Sequence, residues 1–352
     1  MTGIPRRSCW GALVLLTALA GCSVEPRADR SRAGAVRFEI PDPGSGPWYK
    51  GNTHAHTTES DGDTSPAEVA RWYRDHRYAF LVLTDHNTYT DPAALADLTN
   101  SAFLLIPGEE VTSAFDGAPV HVNGLNLPGL VAARDADGLV ATIQANVDAI
   151  REVQGVPHVN HPNFQWAFGA EALAQVERYR LLEIHNGHPQ VHNLGGGGTP
   201  GMEAVWDALL TGGKRVWGIA VDDAHHFQGE FAPDRANPGR GWVSVRADSL
   251  EAGAIMNALE AGRFYASSGV ELSDVVVDRT RLTVHVAARG DFRYTTTFIG
   301  AGGEVLGRST DNPAVYDLDD DVGYVRARVQ DSMGYAAWTQ PVFVTTDPDG
   351  NG

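Results

Sequence analysis

Cysteine is nearly absent from this chain: its 352 residues contain two, Cys9 and Cys22, both within the first 22 positions. Everything beyond them therefore lacks a disulfide, a thiolate metal ligand and a cysteine nucleophile. No Gly-x-Ser-x-Gly elbow is present, which removes the covalent serine route to ester hydrolysis. Long apolar runs are missing as well, and the one at Trp10–Ala20 is too short to cross a bilayer. Basic charge is scarce, with 27 Lys and Arg against 44 Asp and Glu. That balance argues against broad phosphate-backbone contact with a nucleic acid. It leaves room for a small anionic substrate, because bound cations dominate the field inside a site. Any metal must be held by imidazole and carboxylate, a donor set suited to zinc, manganese or iron.

What is present falls into four segments. Residues 1–22 read as a lipoprotein signal peptide: Arg6 and Arg7 supply a positive start, Trp10–Ala20 an apolar stretch, and Leu19-Ala20-Gly21-Cys22 a lipobox. Cys22 would then carry the lipid that anchors the protein to a bacterial cell envelope, on an extracytoplasmic face. Residues 23–46, rich in Arg, Asp, Pro, Gly and Ser, read as a flexible tether. From 47 to 265, short apolar runs alternate with helical segments. Ala79–Leu83, Phe103–Ile106 and Arg215–Ala220 read as buried strands. Pro66–His76, Leu139–Val153, Gly201–Leu210 and Ser249–Ala261 read as helices. Such alternation favours an α/β barrel or a doubly wound sheet. After about Gly269, runs of β-branched and aromatic residues recur at roughly ten-residue intervals, which predicts a small antiparallel β-sandwich over 266–352.

Histidine is unevenly distributed: twelve of the thirteen lie between His54 and His226. His54 and His56 are two residues apart, so on an extended strand both rings leave the same face. Asp61 follows in a turn. Asp85 and His86 follow the run ending at Leu83, and Glu109 and Glu110 the run ending at Ile106. His121, then His158 and His161, then Glu183 and His185, then Asp222, Asp223, His225 and His226 complete the series, mostly at the ends of expected strands. In parallel α/β barrels that rim is where sites form. Where neighbours on a strand compete, alternation favours one of each pair. We take His86 as a ligand with Asp85 supporting it, Glu110 as a carboxylate bridging metals, and His161 ahead of His158. His185, His188 and His192 lie on or near the glycine-rich stretch Gly195–Gly198, either facing substrate or solvated.

This set of motifs resembles the PHP (polymerase and histidinol phosphatase) superfamily of metallohydrolases: His54-x-His56 with Ser60-Asp61-Gly62, Thr84-Asp85-His86, Pro107-Gly108-Glu109-Glu110, His161-Pro162 and Asp223-Ala224-His225, in order from about Trp48 to His226. Gly262–Gly269 and Ala337-Trp338-Thr339-Gln340-Pro341 look like the β-sandwich extension of its carbaryl-hydrolase-like branch. The resemblance implies a distorted (β/α)7 barrel followed by the sandwich, with two or three divalent ions. One ion would take His54, His56, Glu110 and Asp223. A second would share Glu110 and take His121 and His161, and a third would take Asp61, His86 and His225.

Adjacent divalent cations lower the pKa of a bridging water enough to supply hydroxide near neutral pH. The expected activity is hydrolysis of a small phosphate mono- or diester by a metal-bound hydroxide. His185 or His226 would protonate the leaving group, and Arg263, Arg240 or Arg235 would hold a phosphate oxygen. A carboxyl-ester or carbamate hydrolase is the alternative within the same chemistry. A non-catalytic metal- or ligand-binding envelope lipoprotein is the alternative outside it.

Overall fold

The computed structural model describes residues 36–39, 46–318 and 323–346. The leader, Cys22 and most of the expected tether lie outside the described residues. The strands in chain order are β1 (Val36–Glu39), β2 (Trp48–Asn52), β3 (Phe80–Val82), β4 (Leu104–Ile106), β5 (Gly108–Phe115), β6 (Ala118–Leu125), β7 (Val156–Val159), β8 (Leu181–Asn186), β9 (Trp217–Val221) and β10 (Trp242–Arg246). They continue with β11 (Phe264–Ser267), β12 (Leu272–Val277), β13 (Arg281–Val286), β14 (Tyr294–Ile299), β15 (Val305–Ser309), β16 (Ala314–Asp317), β17 (Tyr324–Asp331), β18 (Ala336–Thr339) and β19 (Val342–Thr346). The helices are α1 (Pro66–Asp75), α2 (Leu139–Glu152), α3 (Ala170–Leu173), α4 (Met202–Thr211) and α5 (Ala252–Glu260). Each long helix expected from apolar periodicity is present, with α5 beginning three residues later than Ser249.

The fold is mixed α/β with one large sheet. β2, β3 and β4 are parallel neighbours, as are β7, β8 and β9. Between them, β5 and β6 form an antiparallel hairpin, and β6 pairs antiparallel with β7. Asp116 and Gly117 turn that hairpin with φ of 48° and 81°, the two positive dihedrals that a two-residue turn of this hand requires. The expectation that candidate ligands stand at successive strand ends therefore holds only in part. Glu110 and His121 sit inside β5 and β6, with Thr112 opposite His121 in the register. Past its end, β2 continues beside the continuation of β9: Asp223 N donates to His54 O at 3.0 Å, and His56 N to Ala224 O at 2.9 Å.

Most of the C-terminal strands join the large sheet. β2 pairs with β10, β10 with β11, β11 with β18 and β18 with β17, so one eleven-stranded sheet runs through the boundary expected near 265. Of the C-terminal strands, β12, β13 and β16 form a sheet of their own, as β5–β9 do earlier in the chain. They pack Leu272, Leu282 and Val284 against Phe298, Val325 and Val329 of the large sheet. Inside the segment expected to be a tether, Val36–Glu39 pairs antiparallel with β19; its alternation of apolar and charged residues suits an edge strand.

One polar network ties α4 to the C-terminal strands. Arg326 on β17 is buried, and its Nε and Nη2 donate to Asp207 Oδ1 and Oδ2 at 2.8 and 2.7 Å. Tyr324 donates its hydroxyl to the same Asp207 Oδ1 at 2.8 Å. The fork-on-carboxylate geometry is the strong form of an ion pair.

Candidate metal centre

Alternation along the continued β2 strand does what the sequence promises. Ala55 points into the core beside Val69, Tyr73 and Leu81. His54 and His56 point the other way, with their Nε2 atoms 3.1 Å apart. Glu110 lies at the hub. Its Oε2 is 3.3 Å from His54 Nε2, 3.2 Å from His56 Nε2 and 3.1 Å from His86 Nδ1. Its Oε1 is 2.9 Å from His121 Nδ1 and 3.3 Å from His161 Nε2. Burial would raise this carboxyl, but the imidazoles of His121, His54 and His86 override it and hold the group well below the usual carboxylate range.

Asp223 supplies the second inward carboxylate, its Oδ1 3.3 Å from His54 Nε2 and 3.2 Å from His56 Nε2. It adopts φ of 49°, a left-handed conformation that aspartate tolerates better than most residues. Its neighbour Asp222 is occupied elsewhere, accepting from Arg240 N at 2.6 Å, Gly241 N at 2.8 Å and Tyr73 Oη at 2.8 Å. Asp61 lies at the outer side, within 3.3 Å of His56 Nδ1 and His225 Nε2 and 3.6 Å of His86 Nε2. The turn carrying Asp61 is fixed by Asp85, which accepts from Thr57 N, Thr57 Oγ1 and Ser60 Oγ at 2.7, 2.8 and 2.7 Å. Gly62 closes the turn, since a Cβ there would stand 2.8 Å from the backbone of His56.

All nine residues expected as ligands are thus gathered in one place. Donor atoms within 4.8 Å of one another define four subsets. They are His56, Asp61, His86 and His225; His54, His56 and Asp223; His86, Glu110 and His121; and His54, His161 and Glu183. Two imidazole nitrogens 3.1 Å apart, both facing carboxylate oxygens, converge on common space. Buried His121 Nδ1 faces Glu110 Oε1 at 2.9 Å, off the line of a hydrogen bond. Such a nitrogen-and-oxygen set fits divalent zinc, manganese or iron.

Glu183, a member of the candidate series to which the sequence assigns no role, completes the last subset. Its Oε1 accepts from His54 Nδ1 at 2.7 Å, and its Oε2 accepts from His161 N and Asn186 Nδ2, both at 2.8 Å. His158 packs against it, Nε2 to Oε1 at 3.3 Å. Glu183 therefore orients the His54 ring from behind, a partner on which ligand strength depends. Glu183→Gln is expected to weaken metal binding ~10–100-fold, read by competition with a chromophoric chelator; unchanged affinity would remove Glu183 from this role.

The residues expected to act on substrate divide. His226 lines the cavity above the cluster. His185 does not: Nε2 donates to Arg240 O at 3.1 Å and its ring stacks on Trp338, centroids 5.6 Å apart. The cause is a register shift in β8 between Glu183 and His185, which breaks alternation and turns His185 away from the face that Glu183 occupies. Arg263 lies in a separate recess with Trp48, Val275 and Gln340. Arg240 is spent on the carbonyls of Gly187 and Ala232, and Arg235 on Asp63 and Gln228 O. No lysine or arginine lines the cavity among the described residues. Its volume is about 190 Å³, and Phe164, His188 and Gln190 form the wall that carries none of the nine expected ligands. Burial lowers the His188 imidazole to about 4, leaving it neutral at physiological pH.

Glu109 faces away from the cluster. It is buried, accepts from Val131 N at 2.8 Å through Oε2 and has no partner for Oε1. Burial pushes its carboxyl up to about 7. Because the folded state then binds the proton more tightly than the unfolded chain, this group's contribution to stability falls as pH rises from about 4.5 through about 7. Glu109→Gln is expected to gain up to about 3 kcal/mol over the native chain at pH 8. The gain should vanish at pH 4, and denaturant melts at the two values would check it.

No protein-family model matches the chain. Over 77 residues it is 36% identical to the 5'-3' exoribonuclease Rnm of Salmonella typhimurium, covering 21% of this chain and 26% of that protein. Over 186 residues it is 27% identical to a 5'-3' exoribonuclease of Haemophilus influenzae, covering 49% of this chain and 67% of that one. The first of these matches spans only about a quarter of the relative's length. Among solved structures, a two-domain protein of Bacteroides vulgatus, described as containing a predicted PHP-like metal-dependent phosphoesterase, covers 86% of this chain and 95% of its own at 16% identity and a TM-score of 0.49.

Proposed function

We propose that the chain is a metal-dependent phosphoesterase acting on a small phosphate mono- or diester, in a distorted seven-stranded barrel. The observation that carries this reading is Glu110, one buried carboxylate within 3.3 Å of five imidazoles, beneath an open cavity. The bridges Ala55–Ala224 and His86–Glu110, which bring strand continuations side by side, support the barrel. Divalent cations held there would polarise an ester oxygen and lower the pKa of a water. The protein's own share is placement. Glu183 fixes the His54 ring, Asp85 fixes the turn of Asp61, and Asn160 donates from Nδ2 to Glu110 Oε1 at 2.7 Å. His226 is the residue we assign to proton delivery at the leaving group, since it lines the cavity and His185 does not. With no lysine or arginine at the cavity among the described residues, phosphate charge is left to the cluster.

Phosphorus chemistry is favoured over carboxyl-ester or carbamate hydrolysis by the sequence relatives, both named as exoribonucleases. The lipobox supports an envelope-anchored location, and the net charge of −17 supports a small substrate over a long nucleic acid. The test is turnover of p-nitrophenyl phosphate, bis-p-nitrophenyl phosphate, a short oligoribonucleotide and a naphthyl carbamate by metal-loaded protein. Phosphate turnover that His54→Ala abolishes is the expected result. Turnover of the carbamate alone would overturn the phosphate assignment, and turnover of none would favour a binding protein.

A further inference from the structure

The cavity above the cluster, about 190 Å³, is smaller than the ~300–1,000 Å³ of pockets that enclose a whole small-molecule ligand. On the phosphoesterase reading it has room for the phosphoryl group, so the remainder of the substrate lies over the rim. The wall formed by Phe164, His188 and Gln190 comes from two loops, 160–169 and 187–201. These loops are joined. Phe164 bridges to Val191, and buried Asn163 donates from Nδ2 to the carbonyls of His192 and Pro200 at 2.9 and 3.1 Å.

On the same pair of loops, Trp166 lies flat on His192, ring centroids 4.3 Å apart and planes within 14°. Trp166 is two residues from Phe164, so their backbones are at most about 7 Å apart. It is 44% exposed, and Leu194 on the partner loop is 93% exposed. Gln165 and Trp166 have φ of 52° and 58°, a region that bulky side chains avoid. Strain of this kind persists where surrounding structure imposes it, and it concentrates at ligand sites. Gly196 approaches the indole with no side chain: a Cβ built there would lie 4.0 Å from the ring.

We propose that Trp166, backed by His192 and flanked by Leu194, is a ledge on which a planar aromatic group of the substrate stacks while its ester group enters the cavity. Selection for aromatic esters would then rest on the two loops, independently of the metal ligands. Phosphonates test it without turnover. Metal-loaded protein titrated calorimetrically with phenylphosphonate and methylphosphonate should bind the phenyl compound about tenfold more tightly or better, the scale of a single stacking contact. Trp166→Ala should erase that preference, and Trp166→Phe should keep most of it. Equal affinity for the two ligands in the native protein, or a preference that survives Trp166→Ala, overturns the ledge while leaving the phosphoesterase reading intact. If neither phosphonate binds, the phosphate reading falls and the ledge falls with it.

Discussion

Glu110→Ala is expected to lower turnover by more than about 100-fold, beyond the range typical of residues that only support a ligand. It should also deplete together the two metal positions expected to share Glu110. One carboxylate meets His54, His56, His86, His121 and His161, so its loss removes the shared oxygen and leaves buried imidazoles facing each other across a void. Asp61→Asn supplies the contrast. Of the imidazoles, Asp61 meets His56, His86 and His225, and it is half exposed, so its loss should empty one position and spare the others. Elemental analysis of the two purified variants distinguishes these outcomes. Wild-type metal content in Glu110→Ala would mean that Glu110 is not the hub.

Asp207→Ala should destabilise the protein by about 3–5 kcal/mol, the cost of stranding a buried guanidinium. Arg326 is 1% exposed and spends two donors on Asp207. What remains for it is Glu203, 3.1 Å from Nη1, and a cation–π contact with Trp206. Replacing both members, as in Asp207→Leu with Arg326→Met, should recover most of the loss, because no unpaired charge then remains. Urea denaturation of the two variants measures both effects. A double variant as unstable as Asp207→Ala would show that the pair supplies specific stability and not merely mutual neutralisation.

The sequence made the inward-facing ligands legible because they follow strand geometry. His54 with His56 and Glu110 ahead of Glu109 follow from which face a residue takes, and a face is a local property. The roles of His185 and Glu183 were not legible for the same reason. Both are read by alternation, and a register shift between them reverses the answer. Arginines on loops could not be placed, since Arg240 and Arg235 are claimed by carbonyls and a carboxylate brought near only by the complete fold. The β5–β6 hairpin did carry a signal, Asp116-Gly117 between apolar runs, though the alternating strand–helix pattern on either side suggested a parallel arrangement. The joining of β2 through β10 and β11 to the C-terminal strands has no local signal at all, because it depends on pairing between distant residues, Gly51 with Val243 and Tyr265 with Thr339.

That joining bears on modularity. The strand delivering His54 and His56 is interior to its sheet, flanked by β3 on one side and β10 on the other, with β11 and β18 beyond. A chain cut after Tyr265 would lose β18 and leave β11 truncated, with peptide groups open to pairing with another molecule. Such a fragment would tend to self-associate. The C-terminal strands thus share one sheet with the strand that delivers the metal centre, and β1 closes on β19 at its edge.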